Sequence, residues 1–147
     1  MPKHEHTVTI RKANSISALK AAFPVMRELR KHLDLDAFLA AVGSMRKEGY
    51  EIVSLWDGDQ VRAVGGYRLM TNLVCGRTMY VDDLVTSEAV RDKGYGKLLF
   101  AWLYREAKRL QCEMLHLDSG VHRHAAHGFY LGQRMMITSH HFSIDVG

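Results

Sequence analysis

The chain has 147 residues, 47% of them apolar and 24% charged, with a formal net charge of +4 and two cysteines. This is the size and balance of one ordinary globular domain with a buried core, so 1–147 is expected to be a single domain. Ionisable residues interrupt every apolar run, which excludes a membrane-spanning helix, and Cys75 and Cys112 are two isolated cysteines with no C-x-x-C pattern, so packing residues are expected rather than a disulfide framework.

In chain order, Thr7–Arg11 alternates like a strand. Residues 15–32 then carry Ile16, Leu19, Phe23, Met26 and Leu29 at helical spacing, with Pro24 expected to kink the helix or open a second piece. Asp34 or Asp36 caps a short helix containing Leu35, Phe38, Leu39 and Val42. Tyr50–Trp56 and Val61–Leu73 read as hairpin strands across Asp57-Gly58-Asp59, and Gly65-Gly66 marks a bulge or a close backbone approach. Arg77–Val85 is a third strand. The strongest helix runs over 95–110, with Tyr95, Leu98, Leu99, Trp102, Leu103 and Leu110 on its apolar side. Met114–Leu117 reads as a short buried strand, His122–Leu131 as a helix and Met135–Val146 as closing strand material. The order predicts an α/β (α+β) fold, a mixed, mostly antiparallel sheet flanked by helices and holding one parallel βαβ unit over 77–118.

Inside that unit lies Arg91-Asp92-Lys93-Gly94-Tyr95-Gly96-Lys97. Two glycines at the start of a helix let the backbone approach a ligand closely, and first-turn N–H groups have no partner within the helix. Those donors and the positive end of the helix dipole suit a pyrophosphate, and Arg91, Lys93 and Lys97 add charge around it. Neither G-x-G-x-x-G nor G-x-x-x-x-G-K-[ST] is present, so the dinucleotide fingerprint and the P-loop do not apply.

Arg91, Gly94 and Gly96, preceded by Met79–Thr86, resemble the R/Q-x-x-G-x-G/A signature of the GCN5-related N-acetyltransferase family, and the order of elements extends the resemblance over nearly the whole chain. The segment His116–Leu131 is similar to the S-x-x-x-R-x-x-A-H-x-F-Y-L stretch of small-amine acetyltransferases, including aminoalkylphosphonate N-acetyltransferases. The resemblance implies acetyl transfer from acetyl-coenzyme A to a primary amine by direct attack. It implies that Leu84, Val85 and Thr86 pair through their backbones with the pantetheine arm, and that Arg91, Asp92, Lys93, Gly94, Tyr95, Gly96 and Lys97 hold the pyrophosphate. It also implies that Tyr130 protonates the leaving sulfur. For the base, Asp83 is preferred, with Asp82, His116 or water as alternatives; the two aspartates are expected to alternate across the strand, one facing the cleft. The chain departs from the family at Gly128, where a basic residue is usual, and over Leu131–Met136.

The expected partners are a small-molecule amine and a second copy of the chain, through edge strands that include Ser139–Val146; no nucleic acid, membrane or metal is expected. His122, His124 and His127 lack a recognised ligand spacing. Met1-Pro2-Lys3-His4-Glu5-His6 lacks the apolar core of a signal peptide, so cytoplasmic residence is expected. The competing readings are a peptide or protein N-acetyltransferase, a non-catalytic coenzyme A-binding module and a nucleic-acid-binding module.

Overall fold

The computed structural model describes residues 7–147. Met1–His6, on which the absence of a signal peptide was read, lies outside the described residues. The chain divides into two compact units at His116/Leu117.

The first unit contains β1 (Val8–Lys12), α1 (Ile16–Leu29), α2 (Leu35–Arg46), β2 (Glu51–Asp57), β3 (Gln60–Asn72) and β4 (Gly76–Thr86). A 3-10 helix (Glu88–Lys93), α3 (Tyr95–Arg109) and β5 (Met114–His116) follow. The sheet order is β1-β2-β3-β4-β5, antiparallel from β1 to β4, with β5 parallel to β4. The expected mixed sheet and its βαβ unit are both present.

Local chemistry sets the helix starts. The Ser15 hydroxyl accepts from the Ala18 amide at 3.1 Å, and the Asp34 carboxylate accepts from the Ala37 amide at 2.8 Å, so Asp34 rather than Asp36 caps α2. Helix α1 continues through Pro24 as one piece, at the loss of one intrahelical hydrogen bond. Two neighbouring glycines show how the layers stack. A Cβ on Gly65 would meet Val53, Leu103 and Leu99 at 3.3, 3.6 and 3.7 Å, so that face of the sheet carries α3. A Cβ on Gly66 would run into Tyr50, which belongs to the core formed with Leu19, Ala22 and Met26 of α1 and Phe38 and Val42 of α2. Each large side chain fully buried there contributes about 1.5–3 kcal/mol.

Helix α3 buries part of the expected stripe, Tyr95, Leu99 and Leu103, and adds Phe100, Glu106 and Ala107 to it, whereas Leu98 is 46% exposed. Glu106 is tolerated inside because Arg109 binds both its carboxylate oxygens, at 3.0 and 2.5 Å, which holds its pKa below the usual carboxylate value. Strand β5 is half-exposed rather than buried, with Met114 at the surface.

The second unit, Leu117–Gly147, contains one regular element, α4 (His124–Gly132). Gly128 sits within α4, where a Cβ would meet nothing within 4 Å. The strand expected over Met135–Val146 does not form, and Phe142, Ile144 and Val146 stand fully exposed. Period-2 alternation suits a strand, but a strand needs a neighbour to supply its ladder hydrogen bonds.

Candidate active site

Strand β4 makes the site. It pairs with β3 from Asn72↔Gly76 to Ala63↔Thr86, but its pairing with β5 ends at Tyr80↔His116. From Val81 to Thr86, its side away from β3 therefore has no strand partner in this unit, and its backbone donors and acceptors are available there. Leu84, Val85 and Thr86 all lie on this free stretch.

The β3–β4 register shifts between Gly66 and Tyr67, which pair with Asp83 and Val81, so Asp82 is an extra residue in β4. This bulge corrects the expectation that the two aspartates face opposite ways, because two bulged residues oppose one partner and the alternation changes phase across them. Tyr80, Asp82 and Asp83 all line one cleft, of about 500 Å3, whose other walls are Met26, Arg30, Leu33, Phe38, Val42, Met45 and Tyr50.

A polar network fixes the cleft floor. Tyr50 donates its hydroxyl proton to Asp83 Oδ2 at 2.5 Å, and Arg30 Nε donates to Asp83 Oδ1 at 2.8 Å. Arg30 also donates to the Asp82 carbonyl at 3.0 Å, clamping the end of α1 onto the bulge. Arg68 binds the Asp82 carboxylate with two bonds, of 3.1 and 2.7 Å, and its guanidinium lies 5.5 Å from the Tyr50 ring centre. Sequence reading missed Arg30, Tyr50 and Arg68; the pair Gly65-Gly66 was the available signal, since Gly66 leaves the room in which the Tyr50 hydroxyl reaches Asp83. Gly66→Ala should displace Tyr50, break this bond and reshape the cleft. A crystal structure of the variant with the Tyr50–Asp83 contact unchanged would contradict that.

Burial, followed by the Asp83 charge, pushes the Tyr50 phenol far above its ordinary pKa, and burial does the same to Tyr67, whose hydroxyl has no hydrogen-bond partner among the described residues. In the unfolded chain both ionise near pH ~10, while in the folded chain they stay protonated. Their contribution is therefore intact below pH ~10 and falls above it, by roughly 1.4 kcal/mol per pH unit for each tyrosine. Tyr50→Phe and Tyr67→Phe should each flatten the alkaline fall in chemical-denaturation stability. At neutral pH only Tyr50→Phe should be costly, by about 1–3 kcal/mol, because it takes a donor from a buried carboxylate.

His116, the rival base, shares a 3.1 Å hydrogen bond with the buried Thr78 hydroxyl and packs edge-on against Tyr80 at 5.1 Å. The hydrogen bond engages its Nε2.

After β4, the 3-10 helix leads to Gly94, whose φ of +80° is the left-handed turn from which α3 starts. Among the described residues no side chain caps α3, and its first intrahelical bond runs from the Leu98 amide to the Gly94 carbonyl at 3.1 Å. The amides of Tyr95, Gly96 and Lys97 precede that bond and have no acceptor within the helix. Arg91, Asp92, Lys93, Gly94 and Lys97 are exposed around them, with Arg91 Nε 3.5 Å from the Thr86 carbonyl. The Tyr95 side chain turns inward and its hydroxyl bonds Asp57, so only its backbone faces the turn.

In the second unit, Tyr130 lies on α4 with its ring 5.6 Å from that of Phe129. Burial raises its phenol pKa and Arg123 partly offsets this, so the group carries its proton at neutral pH. No group of three or more His, Cys, Asp or Glu is arranged to hold a metal among the described residues. His127 Nε2 lies 2.7 Å from the Gly120 carbonyl, and His141 lies 3.5 Å from Asp118. No described helix is long and apolar enough to cross a membrane.

Residues 16–133 match the model of the acetyltransferase (GNAT) family. The chain belongs to the GNAT acetyltransferase family. It is 33% identical over 110 residues to an uncharacterised N-acetyltransferase of Bacillus subtilis, YhdJ, covering 74% of this chain and 78% of that one. In fold it is similar to aminoglycoside N-acetyltransferase AAC(6')-Iy in complex with coenzyme A, with a TM-score of 0.87 and 13% identity over 99% of this chain and 98% of the other. It is also similar to glucosamine-6-phosphate N-acetyltransferase from Arabidopsis thaliana, with a TM-score of 0.76 and 22% identity over 96% and 99% of the two chains. This GNAT protein is therefore an acetyl-coenzyme A-dependent N-acetyltransferase. Its own residues fit that co-substrate: a strand edge with free amides leads into an uncapped helix start that opens on a left-handed glycine.

Proposed function

We propose that this enzyme acetylates the primary amine of a small molecule, and that the cleft over Asp82 and Asp83 receives the acceptor. The observation that carries this reading is the wall formed by α1 and α2, which limits the cleft to about 500 Å3, within the range of small-molecule sites. A peptide acceptor would call for an open groove. The family match runs across His116/Leu117, which supports a single domain over 1–147.

Acetyl-coenzyme A, when bound, supplies an acetyl thioester. The amides from Arg91 to Lys97 hold its diphosphate, and the backbone of Leu84, Val85 and Thr86 aligns its pantetheine arm. A backbone N–H near Val85 polarises the thioester carbonyl, and the register leaves those of Leu84 and Thr86 turned away from β3 for it; a preorganised contact of this kind is worth ~2.7–4 kcal/mol in a transition state. Asp83 takes the proton that an alkylammonium, with a pKa of ~10.4, must lose before its nitrogen attacks. The new C–N bond replaces the C–S bond; Tyr130 delivers its proton to the departing sulfur, and the second proton that the nitrogen sheds as the amide forms returns Tyr130 to its neutral state through solvent. The aminoalkylphosphonate subtype remains one acceptor class within this reading. A free-thiol release assay across aminoalkylphosphonates, polyamines, aminoglycosides, amino acids, simple alkylamines and peptides tests it; release on peptides alone would replace the small-molecule reading.

We propose also that Ser139–Val146 pairs with a second copy, because its alternating Phe142, Ile144 and Val146 are 91%, 89% and 101% exposed. Ending the chain at Thr138 should turn a dimer into a monomer in sedimentation velocity. A full-length chain that is monomeric at high micromolar concentration would refute this.

A further inference from the structure

The cleft is electrically self-contained. Asp83 is paired with Arg30 at 2.8 Å and Asp82 with Arg68 at 2.7 Å, so two carboxylates and two guanidiniums sum to zero. Tyr50 stays a neutral donor on Asp83. His32, also at the cleft, is exposed. An anionic group in the acceptor would have to compete with a carboxylate already bound in the two-pronged geometry that guanidinium favours. A second or third ammonium would find no carboxylate here whose charge is not already balanced by a guanidinium. Each carboxylate accepts two bonds of about four possible, so lone pairs remain at the floor to accept from an amine nitrogen.

The opposite wall is apolar: Met26, Leu33, Phe38, Val42 and Met45. Phe38 is 2% exposed and braced by Phe23, with ring centres 5.3 Å apart, so this surface is fixed. Two methionines give it some tolerance of shape.

We propose that the acceptor is a monoamine with an uncharged, apolar body, an aralkyl or branched alkylamine, whose nitrogen meets the Asp82–Asp83 floor while its body lies on the α1–α2 wall. This deepens the small-amine reading and rests on it. A neutral network favours one polar atom per ligand, and the apolar wall rewards burial of the rest.

The test compares kcat/KM, with acetyl-coenzyme A, for n-alkylamines of increasing length, benzylamine, phenethylamine, 2-aminoethylphosphonate, spermidine and kanamycin. The alkyl series should rise by roughly fourfold per methylene until the cleft is full. Phenethylamine should exceed the phosphonate, spermidine and kanamycin by at least about tenfold. Met45→Lys, which adds a cation with no carboxylate committed to it, should reverse the ratio of phenethylamine to 2-aminoethylphosphonate by about tenfold or more. The wild-type series stands even if that variant folds poorly.

Equal or better rates on a charged acceptor overturn the proposal while leaving acetyl transfer intact, as does a flat alkyl series. If no amine is acetylated, the small-amine reading fails. Calorimetric titration of phenethylamine into coenzyme A-loaded protein then decides the binding claim. Saturable binding, weakened about tenfold by Met45→Lys, upholds it; no binding overturns it.

Discussion

Tyr130→Phe is expected to lower kcat by ~10²–10⁴-fold while leaving the Kd for acetyl-coenzyme A unchanged, the signature of a lost proton donor. A free alkyl thiol has a pKa of ~8.5, so its thiolate leaves more readily once it is protonated. The substitution removes one oxygen and keeps the ring against Phe129, so α4 should hold its packing. The pH profile provides a second readout. A general acid works only while protonated, and burial holds the Tyr130 phenol above its ordinary value despite the opposing Arg123 charge. Wild-type kcat should therefore persist to alkaline pH beyond the usual tyrosine range and then decline, and the variant should lack that decline. Unchanged turnover on a good acceptor would remove Tyr130 from the mechanism.

The second large effect belongs to the turn into α3. Gly94 has a φ of +80°, a region costly for any side chain with a Cβ and most costly for a β-branched one. Gly94→Val combined with Gly96→Val should pull the first-turn amides out of their common direction and shield them with methyl groups. Hydrogen bonds to charged groups contribute roughly 1.5–3 kcal/mol each, so losing one or two predicts a Kd for acetyl-coenzyme A weaker by about 10–10⁴-fold. The strain at Gly94 itself costs on the order of 1–3 kcal/mol of stability, so binding is measured by calorimetry well below the melting temperature of both proteins. Coenzyme affinity equal to wild type in the folded variant would show that this turn does not hold the diphosphate. Lys97→Ala should have a smaller effect that fades with salt, because an exposed lysine acts through a screened charge.

Periodicity and end signals carried most of the architecture. Alternation marked the strands, the 3.6-residue stripe marked α1 and α3, and Ser15, Asp34 and Gly94 marked helix starts, because these preferences act within a few residues of chain. The turn at 94–97 was legible for the same reason, since free first-turn amides are a local property of any helix beginning there. Family resemblance singled out Tyr130, whose burial and nearness to Arg123 emerged only from the folded second unit.

Three features depended on distant parts of the chain. The bulge at Asp82 is a mismatch between two strands, and no single strand encodes it; it brought Asp82 and Asp83 into one cleft and defeated a simple alternation. The guanidinium partners Arg30 and Arg68 stand far from the acids they bind, so the charge balance of the cleft is invisible along the chain. The closing segment has the alternation of a strand, yet it forms none, because backbone hydrogen bonds in a sheet come from a neighbour and not from the residues themselves. Local sequence thus determined which elements could form and where an anion could be held. Tertiary structure alone decided which side chains meet, because meeting requires partners that only folding brings together.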